Sequence, residues 1–461
     1  MADPVLIESS EPPTPRPLDG STSLPPKSSY SEWVFGRWTT ARTVIWILLT
    51  ICITKPMAPP FLKWFRNQGG TIMDYYQEWS SARSVILHQP VYQPTRELAP
   101  RDFGRRFNSK APWNLGYNVH PPTSVLLALP FGYLSYFDSF FAWSVFTLSL
   151  FGLSLYLIAR HCDYRLGWLS ALPITCGCLL SSPFWHQFQQ GQLNPLILFF
   201  MTLSWIHYRT NRPWRAGFWL GLAAATKVVP GFLVIYFLTR REWKNFAAVI
   251  AGFMFATAIT IGVLGLQTYV DYARLVLPEA LDWRSANTNA SLPGLWCKLF
   301  DPGPRGGHYR PLIQSPVLAK CLTVTSWLAV LAILVPIWRR AKSKAEVDLA
   351  FGLAIVGMLL LSPVTWDHYF LLLPLPLITI WMNIPPKKSF QLLYLAILAG
   401  LAAPAYLWID LYLPQTSSGT GVSPLQTLLL PTFSCYMLCG LLGLGAVAAR
   451  EITRRVNPQR A

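Results

Sequence analysis

The sequence predicts an all-α polytopic membrane protein, a bundle of about twelve transmembrane helices. Three observations carry that prediction. Hydrophobic residues make up 52% of the chain and charged residues only 13%, about half of the roughly 25% usual in a soluble domain. Apolar runs of about 20 residues, long enough to cross a bilayer, recur along its length. Lys and Arg fall in short clusters between those runs: Arg160 and Arg165; Arg209, Arg212 and Arg215; Arg240, Arg241 and Lys244. The series continues with Arg339, Arg340, Lys342 and Lys344, then Lys387 and Lys388, then Arg450, Arg454 and Arg455. That spacing follows the positive-inside rule and orients each span. The net charge of +17 therefore belongs to topology. A nucleic-acid reader would show a basic face on a soluble domain, and none is visible. Of the eight cysteines only Cys297 falls in an expected outside loop, so no disulfide framework is expected.

Residues 1–36 are rich in Pro and Ser (EPPTPRPLDGSTSLPPKSSY) and can bury no core, so a disordered cytosolic tail is expected. No apolar stretch of the kind found in a cleaved signal peptide follows the start. The membrane domain is placed at 37–450, and 451–461 reads as a basic cytosolic tail. The first span runs over 41–61 with Arg37 and Arg42 inside, which brings Asp74 out on the other face. An outside loop follows at 62–138. It carries an amphipathic piece, Tyr75 to Leu87, and an apolar run, Val125 to Leu134, too short to span; both suit interfacial helices or a re-entrant segment. Spans are then expected at 139–159, 166–182 and 193–208. Between Trp214 and Leu238 both flanks are basic, so two short helices must go out and back, meeting near Lys227 and Pro230. A span at 244–266 leads to a long outside loop, 267–315, and further spans follow at 316–338, 346–362, 368–383, 389–412 and 423–448. Both termini are then cytosolic. The outside end collects the unusual residues, and any chemistry is expected there.

Asp74 has two readings: a cap for the helix that begins at Tyr75, or a general base that takes a proton from an acceptor hydroxyl. Glu78 and Arg83 read as local surface pairing. Lys227, between two apolar half-helices (GLAAATKVVPGF), either snorkels to a lipid headgroup or faces a cavity and holds a phosphate. Pro230 beside it frees backbone groups that need a polar, protein-lined environment. Gln189, Gln190, Gln192 and Asn194 form a polar knot whose amides suit sugar hydroxyls, although loops are often amide-rich. His186 reads as an interfacial histidine. In LSPVTWDHYF, Trp366 fits an aromatic belt, while His368 beside Asp367 fits phosphate binding or proton transfer. No His or Cys cluster with metal-ligand spacing accompanies it, so no metal is expected. In the long loop Arg284, Asn287 and Asn289 precede SLPGLW, and His308 near Arg305 and Arg310 reads as solvated loop.

Together these stretches resemble the GT-C superfamily of membrane glycosyltransferases, and within it glycosyltransferase family 87, the polyprenyl-phosphate-mannose-dependent mannosyltransferases and their arabinofuranosyltransferase-like relatives. The matching stretches are Asp74 with ARSVILHQPVY behind it, HPPTSVLLALP (120–130), GQLN (191–194), AGFWLGLAAATKVVPGFLVIYFLTRREW (216–243), NASLPGLW (289–296) and LSPVTWDHYF (361–370). The resemblance implies a GT-C-type bundle in the plasma membrane of a prokaryote. It further implies an acidic base in the first outside loop, here Asp74, and a polyprenyl-phosphate sugar as donor, mannose by preference, with no other cofactor. The acceptor, a lipid or glycan, would be bound from the outer leaflet. His368 matches a family active-site histidine and Lys227 a recurrent lysine. On this reading Lys227, His368 and Arg284 face the departing phosphate. Gln190, Gln192, Asn194, Asn287, Asn289, Trp366 and Tyr75 face sugar or acceptor. The chain departs from the family at Ala290, where the loop motif commonly carries an amide, and in its Pro- and Ser-rich tail. The rival reading is a lipid-linked-sugar flippase or secondary transporter, which would show repeated halves and mid-membrane ionisable groups. No internal repeat is visible, and the polar residues gather at one face.

Overall fold

A computed structural model describes residues 39–67, 72–104, 116–162, 164, 166–303, 306, 309–403, 422–429 and 433–456. The Pro- and Ser-rich tail, His308, Arg305 and the stretch 404–421 lie outside the described residues. The described chain is helical, and the one strand-like feature among these residues is an isolated bridge between Tyr309 and Val422.

The helices are α1 (Thr40–Phe65), α2 (Tyr75–Ile86), α3 (Thr95–Phe103), α4 (Pro122–Ala128), α5 (Tyr136–His161), α6 (Ala171–Leu180), α7 (Ser182–Gln190), α8 (Asn194–Arg209), α9 (Pro213–Thr226) and α10 (Val234–Thr239). After them come α11 (Trp243–Leu264), α12 (Gln267–Asp271), α13 (Leu277–Ala280), α14 (Leu292–Phe300), α15 (Pro316–Arg340), α16 (Lys344–Leu361), α17 (Pro374–Asn383), α18 (Lys388–Ala402), α19 (Pro424–Leu429) and α20 (Phe433–Val456). Short 3-10 turns lead into α6, α10 and α17 and follow α4. Five of the helices are long and apolar enough to cross a bilayer: Thr40–Phe65, Tyr136–His161, Trp243–Leu264, Pro316–Arg340 and Phe433–Arg455. The protein is a multi-pass membrane protein. The remaining expected spans are shorter or broken helices. The expected pair within 214–238 breaks at Lys227, and 368–383 divides into a 3-10 turn, Asp367–Leu372, and α17. Residues 451–456, expected to begin a tail, continue α20.

Helix α16 lies at the centre. Its entry is fixed by a capping box, in which Ser343 accepts from the Glu346 amide while Glu346 accepts from the Ser343 amide. Every residue from Asp348 to Leu361 is buried, against α8, α15, α17 and α20 among others. Helix α9 packs tightly on α11 because Gly217 and Gly221 present no side chain. A Cβ on Gly221 would sit 2.3 Å from the Val249 carbonyl, the small-residue contact that lets helix backbones approach in a membrane.

The basic ends of the helices meet one another. Arg209 pairs with Asp348 at 3.1 Å and reaches the His161 carbonyl. Arg240 pairs with Glu242 at 2.7 Å and also grips the carbonyls of Trp338 and Ala341. Since Arg209 ends the helix that Asn194 begins, this fastened end lies about 24 Å from the polar knot.

The loop 62–138 departs from expectation. Helix α2 does not lie on a surface: Tyr75, Tyr76, Glu78, Trp79 and most of its serines are buried, with α4 and the turn Leu129–Tyr133 packed over it. The polar-looking face is covered because its serines and Glu78 find protein partners.

Candidate active site

Asp74 stands directly before α2. Its backbone is helical and its side chain makes no capping bond, so the cap reading fails. Instead Oδ2 accepts from Gln192 Nε2 at 2.9 Å, and the Asp74 amide donates to Gln190 Oε1 at 3.4 Å. Gln190 ends α7 and Gln192 lies in the turn after it, where Gly191 adopts a left-handed conformation (φ 67°). A Cβ there would lie 2.7 Å from that of Tyr75, so only glycine lets this turn close on Asp74. Trp143 Nε1 holds the turn by donating to the Gly191 carbonyl at 2.8 Å.

Asn194 begins α8 and is fully buried. Its Nδ2 donates to Gln187 Oε1 at 2.8 Å, and its Oδ1 accepts from Lys227 Nζ at 3.0 Å. Lys227 leaves α9 in an extended conformation and rests its ammonium 3.8 Å from the centre of the Tyr369 ring. Burial brings the pKa of this ammonium down to about 7, with the charges of Glu78 and Asp74 opposing the fall; the amide oxygen and the π-face favour its charged form. His368 is buried with its Nε2 unpartnered, and its Nδ1 lies 3.6 Å from Asp367 Oδ1. The other Asp367 oxygen bonds His186 Nδ1.

These residues line one cavity of about 1440 Å³, with Asp74, Gln190, Gln192, Lys227, Trp366 and His368 on its wall. Much of its lining is apolar and includes Met57, Trp64, Leu180, Phe232, Ile235 and Trp327. Asp74 keeps some surface open to the cavity, yet protein surrounds it. Burial, with the negative charge of Glu78 added, raises its pKa above the ordinary carboxylate value; the Gln192 bond and the charges of His120 and Lys227 oppose that rise. Burial would raise Asp367 too, but the bonds from His186 and His368 hold it below the usual carboxylate range. Burial opposes the charge of His186, and its bond to Asp367 outweighs that and raises its pKa. Among the described residues no group of three or more His, Cys, Asp or Glu is arranged to hold a metal ion.

Five expected residues do not reach the cavity wall. Tyr75 is fully buried, stacked on Trp143 (5.2 Å, 19°) and bonded to Ser139; it packs the core that carries Asp74. Arg284 turns back, its Nε donating to the Leu281 carbonyl. Asn287 accepts from the Tyr309 hydroxyl. Asn289 is a clamp: Nδ2 donates to the carbonyls of Arg284 and Pro363, and Oδ1 accepts from the amides of Ser291 and Thr365. It fastens the long loop to the segment that presents Trp366 and His368. Asn194 also acts behind the wall, by holding Lys227.

Sequence reasoning missed two pairs. Glu78 does not pair with Arg83, whose Nη1 donates to the Gly132 carbonyl. Glu78 is buried and bonds His120 Nδ1. His186, read as merely interfacial, is the partner of Asp367. The acid-plus-histidine composition of both was visible, but each pairing depends on distant segments.

A sequence profile of glycosyltransferase family 87 matches residues 118–363, more than half of the chain. The protein belongs to glycosyltransferase family 87. It is a glycosyltransferase related to enzymes that use polyprenol-phosphate-mannose. One relative is the polyprenol-phosphate-mannose-dependent α-(1-2)-phosphatidylinositol mannoside mannosyltransferase of Mycobacterium tuberculosis. It is 26% identical over 436 residues, covering 91% of this chain and 94% of the relative. Another is the corresponding phosphatidylinositol pentamannoside mannosyltransferase of Mycolicibacterium smegmatis, 27% identical over 284 residues (59% of this chain, 62% of the relative). An α-(1->3)-arabinofuranosyltransferase of M. tuberculosis is 23% identical over 205 residues (41% and 46%). No solved structure matches. In this family 87 enzyme the profile match includes Gln192, Lys227 and Asn289 but neither Asp74 nor His368, so the assignments of those two rest on the cavity geometry.

Proposed function

We propose that this enzyme transfers a sugar, mannose by preference, from a polyprenyl-phosphate donor to a lipid or glycan acceptor, with inversion at the anomeric carbon. The observation that carries the reading is one cavity lined by a poorly solvated carboxylate, a buried lysine and a histidine together with many apolar side chains. Asp74 takes the proton of the acceptor hydroxyl as its oxygen attacks the anomeric carbon. The bond from that carbon to the phosphate oxygen breaks, and its electron pair leaves with the polyprenyl phosphate. Lys227 and His368 stabilise the charge that grows on the phosphate, in a site where such contacts are strong. Gln190, Gln192 and Trp366 hold the sugar. The apolar lining suits the first isoprene units. Arg284 has no place in this scheme.

The basic, fastened end of the bundle is read as cytosolic by the positive-inside rule. The cavity is then extracytoplasmic, both termini are cytosolic, and the short and broken helices complete about twelve crossings. The test is purified protein with radiolabelled polyprenyl-phosphate mannose and a phosphatidylinositol mannoside. New labelled glycolipid is expected. Movement of label across a vesicle membrane without a new glycosidic bond would instead identify a flippase.

A further inference from the structure

The cavity wall carries a second set of polar groups that the scheme above does not use. Residues 118–120 are tied to α2 at several points. Asn118 Nδ2 donates to the Gln77 carbonyl at 3.2 Å and to Ser81 Oγ at 3.3 Å. The Val119 amide donates to Gln77 Oε1 at 3.1 Å, the His120 amide to Asn118 Oδ1 at 3.0 Å, and Tyr92 to the His120 carbonyl at 2.7 Å. The result is a fixed His120 ring, with Nδ1 on the Glu78 carboxylate. Nδ1 is committed to the Glu78 carboxylate, which leaves Nε2 as the ring nitrogen free to meet a ligand. Gln77 is settled by the same logic: its oxygen faces an amide N–H, which leaves its NH2 as a donor. Gln77 and His120 both line the cavity, and neither Gln77 Nε2 nor His120 Nε2 has a partner among the described residues.

We propose that Gln77 and His120 form a diol-reading pair that holds a neutral, polyhydroxylated acceptor head with one hydroxyl at Asp74. One hydroxyl of a sugar or cyclitol ring bonds His120 Nε2, and its neighbour accepts from Gln77 Nε2. Gln77 lies one helical turn after Asp74, so Gln77 and the base share a face of α2. The surroundings select against an anion: Glu78 backs His120, Glu279 also lines the cavity, and Lys227 sits apart with Tyr369 and Asn194. A phosphate is therefore drawn to Lys227 and a neutral polyol to His120.

The inference rests on the proposed transfer reaction and is tested with the same donor and acceptor, polyprenyl-phosphate mannose and a phosphatidylinositol mannoside. Gln77→Glu is isosteric and keeps the acceptor for the Val119 amide, but it replaces the free donor by an acceptor. Glu78→Gln with His120→Ala removes the ring without stranding a buried carboxylate. Each variant is expected to raise the acceptor KM about tenfold, the loss of roughly one hydrogen bond, with the donor KM within twofold and the thermal midpoint near wild type. An unchanged acceptor KM in Gln77→Glu overturns the proposal even if the double variant fails to fold. So does a rise in donor KM, which would assign this wall to the phosphate. If the wild type transfers nothing, the transfer reading fails and takes this one with it; if the wild type transfers and the variants keep their acceptor KM, only the diol pair is refuted.

Discussion

Replacing Asp74 by Asn removes the proposed base while keeping its shape. The side-chain oxygen that accepts from Gln192 Nε2 at 2.9 Å survives in the amide, as does the helix start at Tyr75, so the turn at Gly191 stays closed. What is lost is proton abstraction. General-base catalysis is worth about 10²–10⁴-fold, so a loss of about 10³ in kcat is expected, equivalent to about 4 kcal/mol on the barrier at 1.36 kcal/mol per decade. Donor and acceptor KM should stay within a few-fold. Stability supplies an independent sign. Asp74 binds its proton more tightly in the folded protein than in the unfolded chain, so its ionisation lowers stability as pH rises above the unfolded value, about 3.9. At pH 7 the Asn variant should therefore melt no lower than wild type, and higher if Asp74 is ionised there. The assay is turnover with labelled donor, beside a thermal melt in the same detergent. Turnover within tenfold of wild type, with an intact melt, refutes the role of Asp74.

Lys227→Met removes the ammonium held by Asn194 and should raise the donor KM about 10- to 100-fold, the range for a lost charge-assisted bond; unchanged donor KM would place the phosphate elsewhere. Asn289→Ala leaves two amides and two carbonyls without their shared partner, and should lower stability by about 3 kcal/mol, read as a drop in thermal midpoint with turnover per folded molecule preserved. Asp367 sits below the usual carboxylate range in the folded state, so its contribution is present above the unfolded value and lost as pH falls. Asp367→Asn should thus melt lower than wild type at pH 7, with the gap closing below about pH 4. A gap that does not depend on pH would show that charge is not what the two histidines recognise. In the wild type the kcat profile should fall on the acid side at a pH above the ordinary carboxylate value, because Asp74 must lose a proton to act and burial resists that.

Much of the site was legible because polarity in an apolar sequence is conspicuous. Lys227 broke a helical run beside Pro230, and the helix does break there. Asp74, Gln192, Asn194 and His368 each fall at the non-basic end of an expected span, and Asp74, Gln192 and His368 line one cavity while Asn194 holds Lys227 behind it. The failures share a different cause. Glu78 looked like a surface acid because Arg83 lay nearby in sequence, yet its partner His120 is 42 residues away, brought close by α4 folding over α2. His186 and Asp367 are separated by 181 residues. An amide in a loop can face a ligand or a backbone with equal ease, so Asn289 and Gln192 read alike in sequence and differ only in place. Long-range pairing leaves no periodicity to read, whereas burial does.

The grip of Arg240 on the carbonyls of Trp338 and Ala341, with Arg209 on Asp348 and His161 beside it, makes that end of the bundle behave like the spring of a clothes-peg. The jaws are at the other end, where proline-broken segments and short helices replace long ones. In the transfer proposed above, a substrate with a long oily tail would enter sideways between those jaws, its tail left among the surrounding lipids.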